Sequence, residues 1–171
     1  MDISLDRFRD VVRSVRGPGE LLEPPVVVLR VVAALIGDSE VQHAVSAKVA
    51  GSEGEGEGPL TSWRYVALIK VGLVAVDVTN TISDWELDGS RRTEPSPTID
   101  ARLIPIAEVT DCRVLEVQGR SLDPQDFTVR WQIGIRTGEP VRIPVGRYQA
   151  ETEAASAFGR AVIDRLEALS A

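Results

Sequence analysis

The sequence predicts a mainly β fold with helices at both ends, a small barrel or sheet closed by a terminal helix. Three observations carry this expectation. Residues 127–135 and 141–145 alternate apolar and polar side chains across a Gly-containing turn, the period of a half-buried hairpin. Residues 152–169 then place apolar side chains at helical spacing, and residues 4–16 do the same near the start. At 171 residues, 43% hydrophobic and 26% charged, the chain is long enough to bury a sizeable core in one domain.

Taken in order, Leu5, Phe8, Val12 and Val15 fall on one face of the first helix, with Ser4 as N-cap and Gly17-Pro18-Gly19 as its stop. The apolar run at residues 26–36 follows Pro24-Pro25. Its valines suit a buried strand, but Pro before it and Gly37 after it favour a helix packed with the first against the β core. From Glu40 the period becomes two: Val41, His43, Val45, Ala47 and Val49 alternate with Gln42, Ala44, Ser46 and Lys48. Residues 51–59, GSEGEGEGP, break regular structure and form an acidic loop. Residues 63–69 and 71–79 read as two strands around a tight turn near Lys70-Val71-Gly72, and residues 80–97 as a polar loop.

Residues 99–106 form a further strand, whose Pro105 marks an edge or a bulge. Residues 109–117 form another, with Asp111 and Arg113 interrupting its alternation. In the hairpin, Phe127, Val129, Trp131, Ile133 and Ile135 face one way, and Thr128, Arg130, Gln132 and Arg136 the other. Thr137-Gly138-Glu139-Pro140 supplies the turn, and Val141, Ile143 and Val145 repeat the alternation. The last helix carries an apolar stripe of Ala155, Phe158, Val162, Leu166 and Leu169. Burying its four large members at about 1.5 to 3 kcal/mol each is comparable with the whole stability of a small domain, so Leu166→Asp is expected to unfold the protein.

Composition excludes several function classes. Net charge is −7, with 26 Asp and Glu against 19 Lys and Arg, so the nonspecific attraction that supports nucleic-acid binding is missing and anionic membranes repel the chain. The run at 26–36 spans 11 residues with Arg30 inside it, short of the roughly 20 needed to cross a bilayer. Acidic residues stand where a signal peptide has its basic region, and the single Cys112 permits no intramolecular disulfide, so a cytoplasmic location is expected.

The stretches RYVALIKVGLVAVDV at 64–78, DARLIPIAEVTDCRVLEV at 100–117 and FTVRWQIGIRTGEPVRIPV at 127–145, followed by a helix of pattern AAxxFxxxVxxxL, resemble bacterial pleckstrin-homology-like (PH-like) domains. The resemblance covers residues 40–171 and rests on apolar patterning. It implies a barrel of two nearly orthogonal antiparallel sheets, about seven strands in all, with one end plugged by the C-terminal helix. Residues 1–38 are then a helical extension packed on a PH-like domain at 39–171, in a single compact unit. A second expectation is an α+β cone-shaped sheet with the N-terminal helices in its concavity. PH-like domains bind phosphoinositide headgroups through basic residues around the first hairpin loop. Here that loop carries three glutamates, each opposing a phosphate by about 1 kcal/mol at close range in water, and only Lys48 and Arg64 flank it. Other members bind peptides or proteins along a sheet edge or beside the helix.

No residue pattern marks a catalytic centre, a metal site or a cofactor. His43 lacks a nucleophile or acid signature and reads as a half-buried strand histidine, and Cys112 as a small core hydrophobe. Asp84, Glu86 and Asp88-Gly89 imitate the start of a calcium loop, but Pro95 stands where the bidentate Glu belongs. The arginines carry more. Residues 101–150 have seven Arg against six acidic residues, while the rest of the chain nets −8. Arg130, Arg136 and Arg142 are expected to project from one solvent face, either as a solvated exterior or as a surface for a carboxylate or phosphate. Trp85, between acidic neighbours in the polar loop, is a candidate interface anchor. The expected function is a noncatalytic module binding a protein partner or itself. The alternatives are a binder of a small or lipid-linked anion through the Arg face, and an enzyme with an unrecognised site.

Overall fold

The structure, a computed structural model, describes residues 5–16, 24–50, 61–80, 97–119, 128–145 and 149–170. Ser4, Gly17-Pro18-Gly19, the acidic loop at 51–59, the polar stretch 81–96 with Asp84, Trp85, Glu86 and Asp88, and Phe127 lie outside the described residues, as does the side chain of Leu5.

Helices α1 (Leu5–Arg16) and α2 (Val26–Ile36) are followed by a meander of four antiparallel strands, β1 (Val41–Ala50), β2 (Thr61–Ile69), β3 (Gly72–Asn80) and β4 (Thr98–Pro105). A 3-10 turn at Ile106–Glu108 leads to a second sheet of β5 (Val109–Gln118), β6 (Thr128–Ile135) and β7 (Val141–Arg142), and α3 (Gln149–Ser170) closes the chain. The fold is therefore mainly β, with sheets of four and three strands and three helices.

Among the described residues, no strand ladder joins one sheet to the other, so the expected closed barrel does not form. The corner explains part of this. Pro105 ends β4 and has no N–H to offer a neighbour, and the chain turns there, held by the Ile106 N–H donating to the Val71 carbonyl at 3.1 Å. α3 instead packs on β1, β5 and β6, so side chains rather than backbone hydrogen bonds join the layers. The single sheet of the cone is absent among the described residues too: there are two sheets, and α1 and α2 cover the face of the first that is turned away from the second.

The central strands of that first sheet, β2 and β3, are buried on both faces over most of their length. Trp63, Tyr65, Ala67 and Ile69 of β2, with Val74, Val76 and Val78 of β3, pack under α1 and α2. Val66 and Leu68, with Leu73 and Ala75, point the other way into a second core shared with Ile133, Val141, Ile143 and the α3 residues Ala155, Phe158 and Val162. Central strands with two covered faces need apolar side chains at successive positions, which is why YVALI and LVAV lack clean alternation. The ambiguous run at 26–36 is a helix because Val28, Leu29, Val32, Ala33 and Ile36 form a stripe of helical period that the sheet buries. Gly37, at φ 55°, ends it. Two polar contacts pin α1 to the sheet: Ser14 Oγ lies 3.1 Å from Tyr65 Oη, and Ser46 Oγ donates to the Val15 carbonyl.

Several boundaries shift. Strand pairing after residue 140 ends at Arg142, and α3 begins three residues before the expected Thr152. On α3, Phe158 and Val162 are buried, Leu166 is half-buried and Leu169 is 56% exposed, so the stripe outruns the sheet beneath it. A bulge between Val41 and His43 puts Val41 on the α1 side, and His43 is exposed rather than half-buried.

Candidate functional site

The face that the first sheet turns toward the second changes character halfway along three strands. On β2 the row is Ser62, Arg64, Val66, Leu68; on β3, in register, it is Thr79, Asp77, Ala75, Leu73; on β4 it is Asp100, Arg102, Ile104. The apolar half supplies the core beneath α3. The polar half has no such cover among the described residues, and its charges are paired along and across the strands. Arg64 Nε donates to Asp77 Oδ2 at 2.7 Å from directly opposite, Thr79 Oγ1 donates to Asp77 Oδ1 at 3.3 Å, and Ser62 Oγ lies 2.8 Å from Thr79 Oγ1. Arg102 lies 3.7 Å from Asp100 and donates to the Glu139 carbonyl at 3.3 Å, joining β4 to the turn before β7.

Two adjoining hollows open over this half. One, of about 540 Å³, lies between Arg64, Asp77, Asp100 and Arg102 on the first sheet and Glu139–Arg142 on the second. The other, of about 670 Å³, is lined by Arg64, Arg130 and Arg142 together with Leu115, Trp131, Ile143 and Val145. Arg64 and Arg142 belong to both, so the hollows form one groove. Arg130 is held 3.4 Å from Glu116 across β5 and β6. Arg142 sits opposite Gln132 and makes no side-chain hydrogen bond or ion pair with any described residue, which leaves its planar donor fork directed to solvent and to the groove.

The structure thus brings together Arg130 and Arg142 and separates Arg136 from them. Arg136 follows the end of β6, its backbone N–H donates to the Glu108 carbonyl at 2.8 Å, and its side chain lines neither hollow. Trp85 lies outside the described residues. Sequence reasoning missed Arg64 and Arg102 as site residues. The signal was a polar residue at every second position in the first half of β2, followed by an apolar one at the same parity, but its meaning required the register of three strands.

Charge in the groove is balanced: Arg64, Arg102, Arg130 and Arg142 face Asp77, Asp100, Glu116 and Glu139. Such a surface suits a ligand carrying apolar groups and a few charges better than a dense polyanion. Among the described residues no cluster of His, Cys, Asp and Glu could hold a metal ion. Cys112 faces the core beside Ile133, and burial, with the neighbouring Asp111 carboxylate adding to it, pushes its thiol up to about 11, so it is a poor nucleophile near neutral pH. No helix among the described residues is long and apolar enough to cross a membrane. No family model, curated protein or solved structure matches the chain.

Proposed function

We propose that this chain is a noncatalytic interaction module on a PH-like scaffold, whose inter-sheet groove takes a segment of a protein partner bearing a carboxylate beside apolar side chains. The scaffold reading is supported by two antiparallel sheets, seven strands among the described residues, followed by a terminal helix, since the family resemblance implies two sheets of about seven strands in all with a C-terminal helix. The ligand class is supported by one observation above the others: Arg142, uncommitted among the described residues, shares a wall with the apolar Trp131, Ile143 and Val145. An Arg fork beside an aromatic ring offers bidentate recognition and apolar area at once. A cytoplasmic location fits the single cysteine, and the acidic loop at 51–59 disfavours a phosphoinositide.

The test is an array of short peptides combining acidic and apolar residues, with hits quantified by fluorescence anisotropy. Arg142→Glu is expected to weaken the hits at least about tenfold, a loss of about 1.4 kcal/mol, and Arg136→Glu, outside the groove, to leave them unchanged. Flotation with anionic phospholipid vesicles at physiological salt is expected to leave the protein in the lower fraction. Binding to vesicles but to no peptide replaces this reading with the lipid-linked anion.

A further inference from the structure

Among the described residues, strand β5 is an edge strand of the second sheet. It pairs with β6 on one side, and among the described residues no strand occupies the other. Its exposed side chains include Val114, Leu115 and Val117, the last 57% exposed; it has no proline and no inward charge, and what guards it are two bulges and the outward charges Asp111, Arg113 and Glu116.

The strand carries a bulge at Leu115: Val114 pairs with Trp131 and Glu116 with Arg130, so one extra residue stands between them. A regular strand puts Arg113 and Glu116 on opposite faces. The bulge shifts parity by one, and both lie on the outer face, with Gln132 and Arg130 respectively, while Cys112 and Val117 lie on the inner face with Ile133 and Val129.

We infer that β5 pairs antiparallel with β5 of a second copy of this chain, about a two-fold axis between Val114 and Leu115, joining two three-stranded sheets into one of six strands. In this register Arg113 stands opposite Glu116 of the other copy and Glu116 opposite its Arg113, both on the outer face. Cys112 meets Val117 on the inner face, and Val114 meets Leu115 at the axis. Opposite charges and apolar pairs directly across an antiparallel ladder are the favourable cross-strand combinations. The outer face then reads Arg130, Glu116, Arg113, Gln132 across the junction and its reverse beside it, so that each Glu116 lies between two arginines, while Asp111 faces Gln118. Of the sliding registers, the one centred on Cys112 also sets opposite charges together, Arg113 against Asp111, but it shortens the ladder to residues 109–115 and leaves Glu116 opposite Glu108 of the 3-10 turn; the register about Val114 and Leu115 pairs residues 111–118. An isologous contact of this kind closes at the dimer. The inference is independent of the groove and its ligand.

Sedimentation analysis of the full chain over a concentration series tests it. The wild-type mass is expected to rise from 18.5 kDa toward twice that value. Arg113→Glu alone and Glu116→Arg alone are expected to remain monomeric where the wild type associates, and an equimolar mixture of the two variants to dimerise, because the mixed interface restores opposite charges at both reciprocal positions. Val117→Lys, on an exposed position that leaves the core intact, is expected to keep its melting curve and lose the dimer. A wild type that stays monomeric throughout, single charge reversals or Val117→Lys that dimerise like the wild type, or a mixture of folded variants that fails to associate, overturns the inference.

Discussion

The two sheets solve opposite problems. In the first, the central strands β2 and β3 lie between α1 and α2 on one face and the second sheet and α3 on the other and are buried along nearly their whole length, while β4 at its edge is mostly exposed. The second is covered on one face, and β5 is exposed from Thr110 to Gln118 apart from the half-buried Cys112. Enclosure makes the first sheet the mechanical base of the molecule, where stability concentrates. Exposure lets β5 carry charge along its whole length. On the first sheet the charges Arg64, Asp77, Asp100 and Arg102 gather in the half that α3 leaves uncovered, and the bulge lies in the edge strand β1, because a polar group in the dry part would lose its partners.

The sharpest way to break this contrast is the same substitution in each sheet. Val74→Asp places an unpaired carboxylate under α2 and is expected to cost about 4 kcal/mol or more, enough to unfold the protein or strip its α1 and α2 layer. Val114→Asp, on an exposed position, is expected to cost about 0.5 kcal/mol or less. Equal urea midpoints for the two variants would show that the first sheet is not the base.

Next in size is the join between the sheets. Phe158→Ala removes the largest α3 side chain from the shared core and is expected to cost about 3 to 5 kcal/mol. Half-buried Leu166 has less to lose, and Leu166→Ala is expected to cost under half as much by the same denaturant measurement. This revises the sequence-based emphasis on Leu166, since the helix extends past the strands that cover it.

A smaller effect tests how closely α3 approaches β6. A Cβ at Gly159 would lie 2.8 Å from the Trp131 ring, inside contact distance, so the helix tolerates glycine there to let the indole rest on its backbone. Gly159→Ala gains about 1 kcal/mol of helix propensity and meets about 1 to 3 kcal/mol of overpacking, a net loss near 1 kcal/mol. In a Trp131→Leu background, where the ring is gone, the same change is expected to stabilise. Failure of the sign to reverse would remove the contact as the cause.

The smallest effect is titration of Cys112. Its thiol is neutral in the folded protein up to about pH 11, above the usual cysteine value, because burial and Asp111 disfavour the thiolate. Unfolding therefore releases a proton at alkaline pH. The contribution is fully present below the unfolded pKa near 9 and is lost as pH rises through about 11. Thermal melts across that window are expected to fall less steeply for Cys112→Ala than for the wild type.

Much of the architecture was legible in side-chain order. Period-two alternation located the hairpin of β6 and β7, and helical stripes located α1 and α3. Where the patterns failed, a second covered face or a bulge was responsible. Asp111 and Arg113 looked like interruptions of alternation in β5, yet both lie on its outer face, and the real irregularities are register shifts near Thr110 and Leu115. Of the groove, Arg130 and Arg142 stand in the sequence opposite the core row of one hairpin, and both line it; Arg136, grouped with them by the same alternation, follows the end of the strand and lines neither hollow.

The sequence by itself determined the periods, the breaks and the charge: which segments could be strands or helices, that the chain is acidic overall, and that its arginines gather in one part of it. Those properties belong to residues close together along the chain, where local geometry fixes the outcome. Only the tertiary structure decided that the sheets stay separate, that Arg64 and Arg102 join Arg142 across a groove, and that Trp131 rests on Gly159. Each depends on the register and layering of segments tens of residues apart, which the burial of both faces of β2 and β3 selects and no local pattern records.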